Sequence, residues 1–142
     1  MTAGRQLRDR PPARGRRDSR PLTAGRLKSR RQFLKVAAAR CKWVTPGLVL
    51  QARAVTKDEM DITADLRVGF TVTRKVGGAV TRNRVRRRLK AAAHQVMPEW
   101  GRSGIDYVLI GRKGTISRPF ELLLEDLETA LRRIKIGRKA ER

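Results

Sequence analysis

The chain has 142 residues and carries 35 Lys and Arg against 13 Asp and Glu, which gives a formal net charge of +22. A chain of this length fits one domain, and so large an excess of positive charge predicts a polyanionic partner such as nucleic acid. The apolar runs at Tyr107–Ile110 and Leu122–Leu124 are too short to span a bilayer, and no apolar segment near the N-terminus is typical of a signal peptide. Cys41 and His94 are the only residues of their types, so neither an internal disulfide nor a zinc finger can form, and we expect a cytoplasmic protein.

Residues 1–26 are rich in Arg, Pro and Gly, and apart from Met1 only Leu7 and Leu22 are large and apolar. Burial could not offset the entropy of ordering such a segment, so we predict a disordered Arg-rich arm that adds phosphate contacts without specificity. A transit peptide is a second interpretation, but the prolines and the lack of an apolar face argue against it. We place the folded domain at residues 27–136 and a basic tail at 137–142.

The first predicted helix begins at Ser29, because the sequence Ser-Arg-Arg-Gln that starts there has the spacing of a capping box. We predict that this helix runs to about Cys41, with Phe33, Val36 and Ala37 on one face. Three apolar residues at this spacing usually face a core, which is the simplest interpretation of Phe33.

A strand is predicted over Leu48–Val55, after the turn signal Pro46–Gly47. Side chains alternate between the two faces of a strand, so Gln51 and Arg53 share the face opposite Leu48. Both faces carry apolar residues, which indicates that both are partly covered.

The polar segment Lys57–Asp61 follows as a loop, and its carboxylates would keep phosphates away from that end of the strand. Asp61 and Asp65 could suggest a metal site, but carboxylates in a loop are usually only solvated.

A second strand is predicted over Leu66–Thr73, where apolar residues alternate with small and polar ones. Arg67, Gly69, Thr71 and Thr73 then lie on the outer face and form a flat floor. Gly69 in particular lets a ligand or another backbone approach closely.

The most informative segment is a basic helix that follows Gly77 and Gly78 and ends near Pro98. Its apolar residues form the narrow stripe of a surface helix: Val85, Leu89, Ala92 and Val96. The opposite side carries the polar and basic set Asn83, Arg84, Arg87, Lys90 and His94, with Arg82 and Arg86 on one flank and Arg88 on the other.

Every charged residue between Arg67 and Lys90 is a Lys or an Arg. Like charges three or four residues apart destabilise an isolated helix, so a partner must supply the opposite charge. A solvated basic face is the simpler interpretation, but solvated helices usually mix Glu with Lys. Because Arg also outnumbers Lys and suits phosphate oxygens, we predict that this helix binds nucleic-acid phosphate through its N-terminal turn and basic face.

The most apolar segment, Ile105–Arg112, is predicted to be the central strand, and a last helix opens at Ser117–Pro119. The early residues of this helix are acidic and its late residues are basic, which suits the helix dipole. We therefore assign it to packing behind the sheet, away from any RNA.

Two sequence blocks carry a resemblance to a known family: R-V-G-F-T-V-T-R-K-V-G at residues 67–77 and A-V-T-R-N-R-V-R-R at residues 79–87. An R-V-G strand, a K-x-G turn and an RNR helix in this order resemble the signature of the bacterial ribonuclease P protein subunit. The resemblance covers roughly residues 27–134. It implies an α+β sandwich, in which one small sheet of three or more strands and three helices follow the order αββαβα. It also implies a left-handed βαβ crossover, where the general rule predicts a right-handed one.

The same resemblance implies a function. The chain would be a subunit of the RNA-based endoribonuclease that removes the 5′ leader from precursor tRNA, with the catalytic RNA doing the chemistry through bound magnesium. The protein itself would hold no metal, cofactor or catalytic residue. The basic helix would bind the catalytic RNA, and a cleft walled by the first helix would hold the leader. The predicted RNA-binding residues are Phe33, Gln51, Arg53, Thr71, Arg74, Lys75, Arg82, Asn83, Arg84, Arg86, Arg87, Arg88 and Lys90.

Two positions depart from the pattern of that family. Ala37 and Gln51 stand where many members have aromatic residues, so leader binding here is expected to depend more on charge than on stacking. A structural RNA-binding protein of the ribosomal type is the alternative function that charge alone leaves open. Sequence-specific DNA binding is disfavoured, because the chain has neither dimerisation heptads nor a helix-turn-helix pattern.

Overall fold

The computed structural model describes residues 21–59 and 64–136. Within these residues the strands are β1 (Ala24–Arg26), β2 (Lys42–Val44), β3 (Leu48–Ala54), β4 (Leu66–Thr71) and β5 (Ile105–Gly111). The helices are α1 (Arg30–Ala38), α2 (Ala79–Trp100) and α3 (Phe120–Arg133). None of these helices is long and apolar enough to cross a membrane.

The strands form one sheet in the order β1-β4-β5-β3-β2. β4 pairs in parallel with β1 and β5, whereas β3 pairs antiparallel with β5 and β2. The predicted α+β class and the order of the longer elements are confirmed. The short strands β1 and β2 were not predicted, and they extend the sheet at its two edges.

One face of the sheet holds the main core, which α2 and α3 cover. The predicted stripe of α2 is buried there, as Val85, Leu89, Ala92 and Val96 are almost fully enclosed. Gly111 lets α2 approach β5 closely, because a Cβ at this position would lie 2.5 Å from Cγ1 of Val85. The sheet and the basic helix therefore pack closely as two layers.

α1 covers part of the opposite face. Its capping box is formed as predicted, with Ser29 Oγ accepting from the Gln32 amide. Val36 is fully buried in a small second cluster with Leu27 and Val108. The helix is shorter than predicted and ends at Ala38, and Ala37 is exposed rather than packed on the sheet.

The N-terminal boundary of the fold needs a correction, because residues 21–26 are not part of a disordered arm. Leu22 is buried in the main core and its amide donates to the Pro98 carbonyl over 2.9 Å. Ala24–Arg26 pairs with β4. The composition does not predict this, because the segment is held by backbone hydrogen bonds to the edge strand β4 and to Pro98, and these do not depend on apolar side chains. Residues 1–20 of the predicted arm, Asp61 and the predicted tail at 137–142 lie outside the described residues.

Candidate nucleic-acid interface

The basic helix α2 begins where the sequence predicts. A single 3₁₀ turn, Arg74–Val76, leads into Gly77, whose φ of 153° favours glycine, and the helix starts directly after Gly78. Gly78 has no side chain to cap the first turn, and that turn contains no acidic residue. The free amides and the positive end of the helix dipole therefore add to the attraction for an anion.

The outer side of α2 is basic and open. Asn83, Arg84, Arg87 and Lys90 are exposed. Among the described residues, no carboxylate forms an ion pair with a basic residue of this helix. Within the part of the chain that the structure describes, the positive charge of this helix therefore has no carboxylate partner, as the sequence predicts.

Arg82 and Arg86 are half-buried on the flank of this face. Arg86 Nη1 donates to Asn83 Oδ1 over 3.2 Å, which fixes the direction of the guanidinium. Arg82 Nε is buried and has no hydrogen-bond partner among the described residues. A buried donor without a partner costs stability, so a phosphate oxygen or a water that reached Arg82 would relieve that cost.

Arg88 is a predicted RNA-binding residue that makes contacts within the chain, and its RNA-binding role stays a prediction. Its Nε donates to the Thr115 carbonyl over 3.0 Å, and its Nη2 donates to the Arg118 carbonyl. Its guanidinium also lies 5.9 Å from the centre of the Phe120 ring. The turn before α3 packs against this flank of α2. Arg88 therefore connects α2 to the start of α3 through hydrogen bonds and the ring contact.

Lys90 connects the basic face to the sheet. Its Nζ lies 6.0 Å from the centre of the Phe70 ring, which is half-buried at the edge of the core. A cation over an aromatic face is held in place without losing its exposure to solvent. Lys90 therefore stays available to an RNA phosphate.

α1 packs on part of the sheet face opposite the main core, and we use the word cleft for the uncovered part of that face beside α1. Phe33 of α1 lies on Gly69 of β4, where a Cβ would be only 2.5 Å from Cζ of the Phe33 ring. The ring is half-buried against the small cluster around Val36. Phe33 thus both packs α1 on the sheet and presents part of its ring to solvent.

Beyond Phe33 the same face is open. Thr71, Ile110, Val49 and Val44 pair side by side on β4, β5, β3 and β2. We call these four residues the open strip; the first three are half-buried and Val44 is 51% exposed. Gln51 lies in the next row, beside Val108 and Lys42, and is half-buried. The strip offers aliphatic surface and a hydroxyl group, which suit sugars and base faces without the stacking that aromatic rings provide.

One end of this face is positively charged. Arg74 and Lys75 lie in the turn after β4 and are exposed, so they stand near Thr71 at the end of the open strip. The predicted roles of Thr71, Arg74 and Lys75 are compatible with this placement.

Arg53, at the other end of the face, forms an ion pair within the chain, and its RNA-binding role stays a prediction. Its Nη2 lies 2.8 Å from Glu59 Oε1, and Lys35 Nζ of α1 lies 2.7 Å from Glu59 Oε2. The hydrogen bond from Lys35 and further bonds from Thr56 and Arg53 lower the pKa of Glu59 to about 2, so the carboxylate is ionised at neutral pH. The charge of Arg53 is matched within the chain, because the loop after β3 folds back over it.

Beside Arg53 lies an ion pair that the sequence did not reveal. Arg67 and Asp106 form a bidentate pair at 2.8 and 2.7 Å, with side chains 14% and 4% exposed. Asp106 is also the strand partner of Arg53. No sequence signal identifies this pair, because the two residues are distant in the chain and meet only through the register of β4 and β5.

The described residues contain no group of three or more His, Cys, Asp or Glu that could hold a metal ion. Asp106 and Asp126 each accept two hydrogen bonds from an arginine, Arg67 and Arg118 respectively. The basic residues of α2 can bind a polyanion, whereas Asp106 and Asp126 stabilise the fold through these hydrogen bonds.

The family model for Ribonuclease P matches residues 23–135. The chain belongs to the ribonuclease P protein family. It is 56% identical over 110 residues to the ribonuclease P protein component of Paramagnetospirillum magneticum, covering 77% of this chain and 81% of that protein. It is 52% identical over 110 residues to that of Gluconacetobacter diazotrophicus, covering 78% and 90%.

Solved structures agree with this assignment. The RNase P protein from Thermotoga maritima matches with a TM-score of 0.60 and 29% identity, covering 78% of this chain and 97% of that one. The Staphylococcus aureus RNase P protein, at 20% identity, shares the fold with a TM-score of 0.57 over 75% and 92% of the two chains. As a member of this family, the chain is a protein component of ribonuclease P, the endoribonuclease of tRNA 5′ maturation.

Proposed function

We propose that the chain binds the catalytic RNA of ribonuclease P through the exposed side of α2 and the 5′ leader of precursor tRNA through the open strip. The observation that carries this proposal is the group formed by Arg84, Arg87 and Lys90, which is exposed and has no carboxylate paired to it among the described residues. Family membership supports both partners, and the exposed side of α2 and the open strip are the two surfaces that we assign to them.

The contact with the catalytic RNA rests on charge and rigidity. Arg84 and Arg87 stand on a helix whose other side is locked into the core by Val85 and Leu89. A rigid support lowers the entropy lost when these side chains bind phosphate. Each neutralised phosphate releases counterions, so affinity should fall steeply as salt is added.

The contact with the leader rests on the cleft between α1 and the basic turn. Phe33 provides the exposed edge of a ring, and the open strip provides a flat aliphatic floor. Arg74 and Lys75 provide charge at one end. Gln51 can add a hydrogen bond to a base or a sugar, but no stacking surface.

Catalysis is assigned to the RNA subunit, together with the magnesium that the reaction requires. The described residues support this assignment, because no three or more of their His, Cys, Asp and Glu side chains come together as a metal site, and Glu59, Asp106 and Asp126 are bonded to Lys or Arg. The protein contributes positive charge, which lets the catalytic RNA and precursor tRNA approach one another at lower magnesium. The cytoplasm, where tRNA is processed in bacteria, is the proposed location.

Reconstitution tests this function. Purified protein is mixed with precursor tRNA at low magnesium, with and without the catalytic RNA, and release of the leader is measured. We expect the protein to accelerate cleavage only when the catalytic RNA is present. RNA binding without any acceleration would contradict the proposal and favour a structural RNA-binding role.

A further inference from the structure

A single carboxylate holds two cations at one end of the cleft. Glu59 lies 2.7 Å from Lys35 Nζ and 2.8 Å from Arg53 Nη2, and its Oε1 also accepts from the Thr56 amide over 3.2 Å. Lys35 belongs to α1 and Arg53 belongs to β3, so Glu59 bridges the wall and the floor of the cleft. Lys35 is exposed, whereas Arg53 and Glu59 are partly buried, with side chains 46%, 19% and 24% exposed for Lys35, Arg53 and Glu59.

At the opposite end of the same face, positive charge is not balanced by carboxylates of the described residues. Arg74 and Lys75 are exposed, and among the described residues neither forms an ion pair with a carboxylate. The strand register places Arg53 two rows from the open strip, which is four residues along a strand or about 13 Å. The face is therefore positive near Thr71 and compensated near Arg53.

We propose that Glu59 ends the path of RNA phosphates across this face, by holding Lys35 and Arg53 out of reach, and so limits the length of leader that the protein binds. This inference rests on the proposed function, since it takes the leader as the RNA in the cleft. A phosphate arriving at this end meets a carboxylate that already occupies both cations. It must displace that carboxylate or stop short of it.

Removing the negative charge of Glu59 tests whether its carboxylate is what stops the RNA phosphates at this end of the face. In Glu59→Gln the amide oxygen can still accept from Thr56, but it no longer neutralises the two cations. Both become available to phosphates of a longer leader. An exposed ion pair is worth up to roughly a fivefold change in an equilibrium constant, so we expect long leaders to bind about fivefold more tightly. The salt dependence should steepen by about one to two units of log–log slope.

The experiment uses the holoenzyme reconstituted with the catalytic RNA and precursor tRNAs whose leaders lengthen one nucleotide at a time from none. For the wild type, we expect affinity to rise with leader length and then level off. For Glu59→Gln, we expect it to level off at a longer leader and higher affinity. Glu125→Gln is the matched control, because Glu125 is exposed on α3, which covers the other face of the sheet.

The double variants Lys35→Ala/Glu59→Gln and Arg53→Ala/Glu59→Gln should each lose part of the gain. Equal affinity of Glu59→Gln and wild type at every leader length would overturn the inference. The inference would also be overturned if Glu59→Gln gained as much affinity for tRNA without a leader, or if the gain persisted in both double variants. Weaker binding by Glu59→Gln together with a lowered melting temperature would overturn it as well. A wild-type holoenzyme with no dependence on leader length would instead overturn the leader-binding function together with this inference.

Discussion

The ring of Phe33 rests on the backbone of Gly69, so close that a Cβ at residue 69 would lie 2.5 Å from its Cζ. The contact brings α1 down onto β4 and closes one side of the cleft. Because the other side of the ring stays partly open, the same side chain can support the fold and meet an RNA base.

Phe33→Ala is expected to weaken leader binding by about 1–3 kcal/mol, the range measured when an aromatic platform for one base is removed. The measurement is the ratio of holoenzyme affinities for precursor tRNA with and without its leader. Phe33→Leu is the control, since it keeps apolar bulk against Val36 but removes the ring. A lower melting temperature with an unchanged ratio would assign Phe33 to the core alone.

Gly69→Ala tests the same contact from the sheet side. The new methyl group would push the tip of the Phe33 ring outward, because Leu27 Cδ1, at 3.0 Å from the added Cβ, leaves little room on the other side. We expect altered leader affinity with the binding of the catalytic RNA unchanged. Loss of both together would indicate that the fold, rather than the cleft, is disturbed.

Arg84→Ala and Arg87→Ala should each flatten the salt dependence of binding to the catalytic RNA by about 0.7–0.9 units of log–log slope, the change expected for one lost phosphate contact. Both side chains are exposed, so the fold should be unaffected. Arg133→Ala, which removes an exposed arginine from α3, is the control and should leave the slope as it is. Unchanged slopes in both α2 variants would place this face outside the interface.

Sequence periodicity predicted the buried stripe of α2 and its basic face, because both follow from the helical repeat alone. It could not separate Arg88 from its neighbours. Arg88 stands on a flank, and only the packing of α3 decides whether that flank meets solvent or the carbonyls of Thr115 and Arg118. The pairing of Arg53 with Glu59 was hidden for a similar reason, since the path of a loop fixes where its carboxylate points.

Arg88→Ala should therefore behave unlike its neighbours. It removes charged hydrogen bonds to the carbonyls of Thr115 and Arg118, and these are worth about 1.5–3 kcal/mol of unfolding free energy. Denaturant unfolding measures that loss. The salt slope of RNA binding, measured at a temperature where the variant is folded, should match the wild type. A flattened salt slope with unchanged stability would instead place Arg88 in the RNA interface.

Asp106→Ala should be the most destabilising of these changes. It leaves the guanidinium of Arg67 largely enclosed and without its bidentate acceptor, which typically costs about 3–5 kcal/mol. The double variant Arg67→Met/Asp106→Leu should recover much of that loss, since it also removes the guanidinium that has lost its bidentate acceptor. Denaturant unfolding of the three proteins makes the comparison. If the double variant were no more stable than Asp106→Ala, the two hydrogen bonds between Arg67 and Asp106 would themselves be needed for stability.

The bridge at Glu59 predicts a specific dependence of stability on acid. Its pKa is lowered from 4.5 to about 2 by the hydrogen bond from Lys35, opposed by desolvation and aided by Thr56 and Arg53. A carboxyl whose pKa is lower in the folded state stabilises the fold above its unfolded pKa, and that contribution disappears as the pH falls through the folded value. The difference in unfolding free energy between wild type and Glu59→Gln should therefore be constant above about pH 5 and shrink between about pH 4.5 and 2. Taking the difference cancels the carboxyls that both proteins share, including Asp106 and Asp126. A difference that stays constant down to pH 2 would mean that Lys35 and Arg53 do not hold the Glu59 carboxylate in solution.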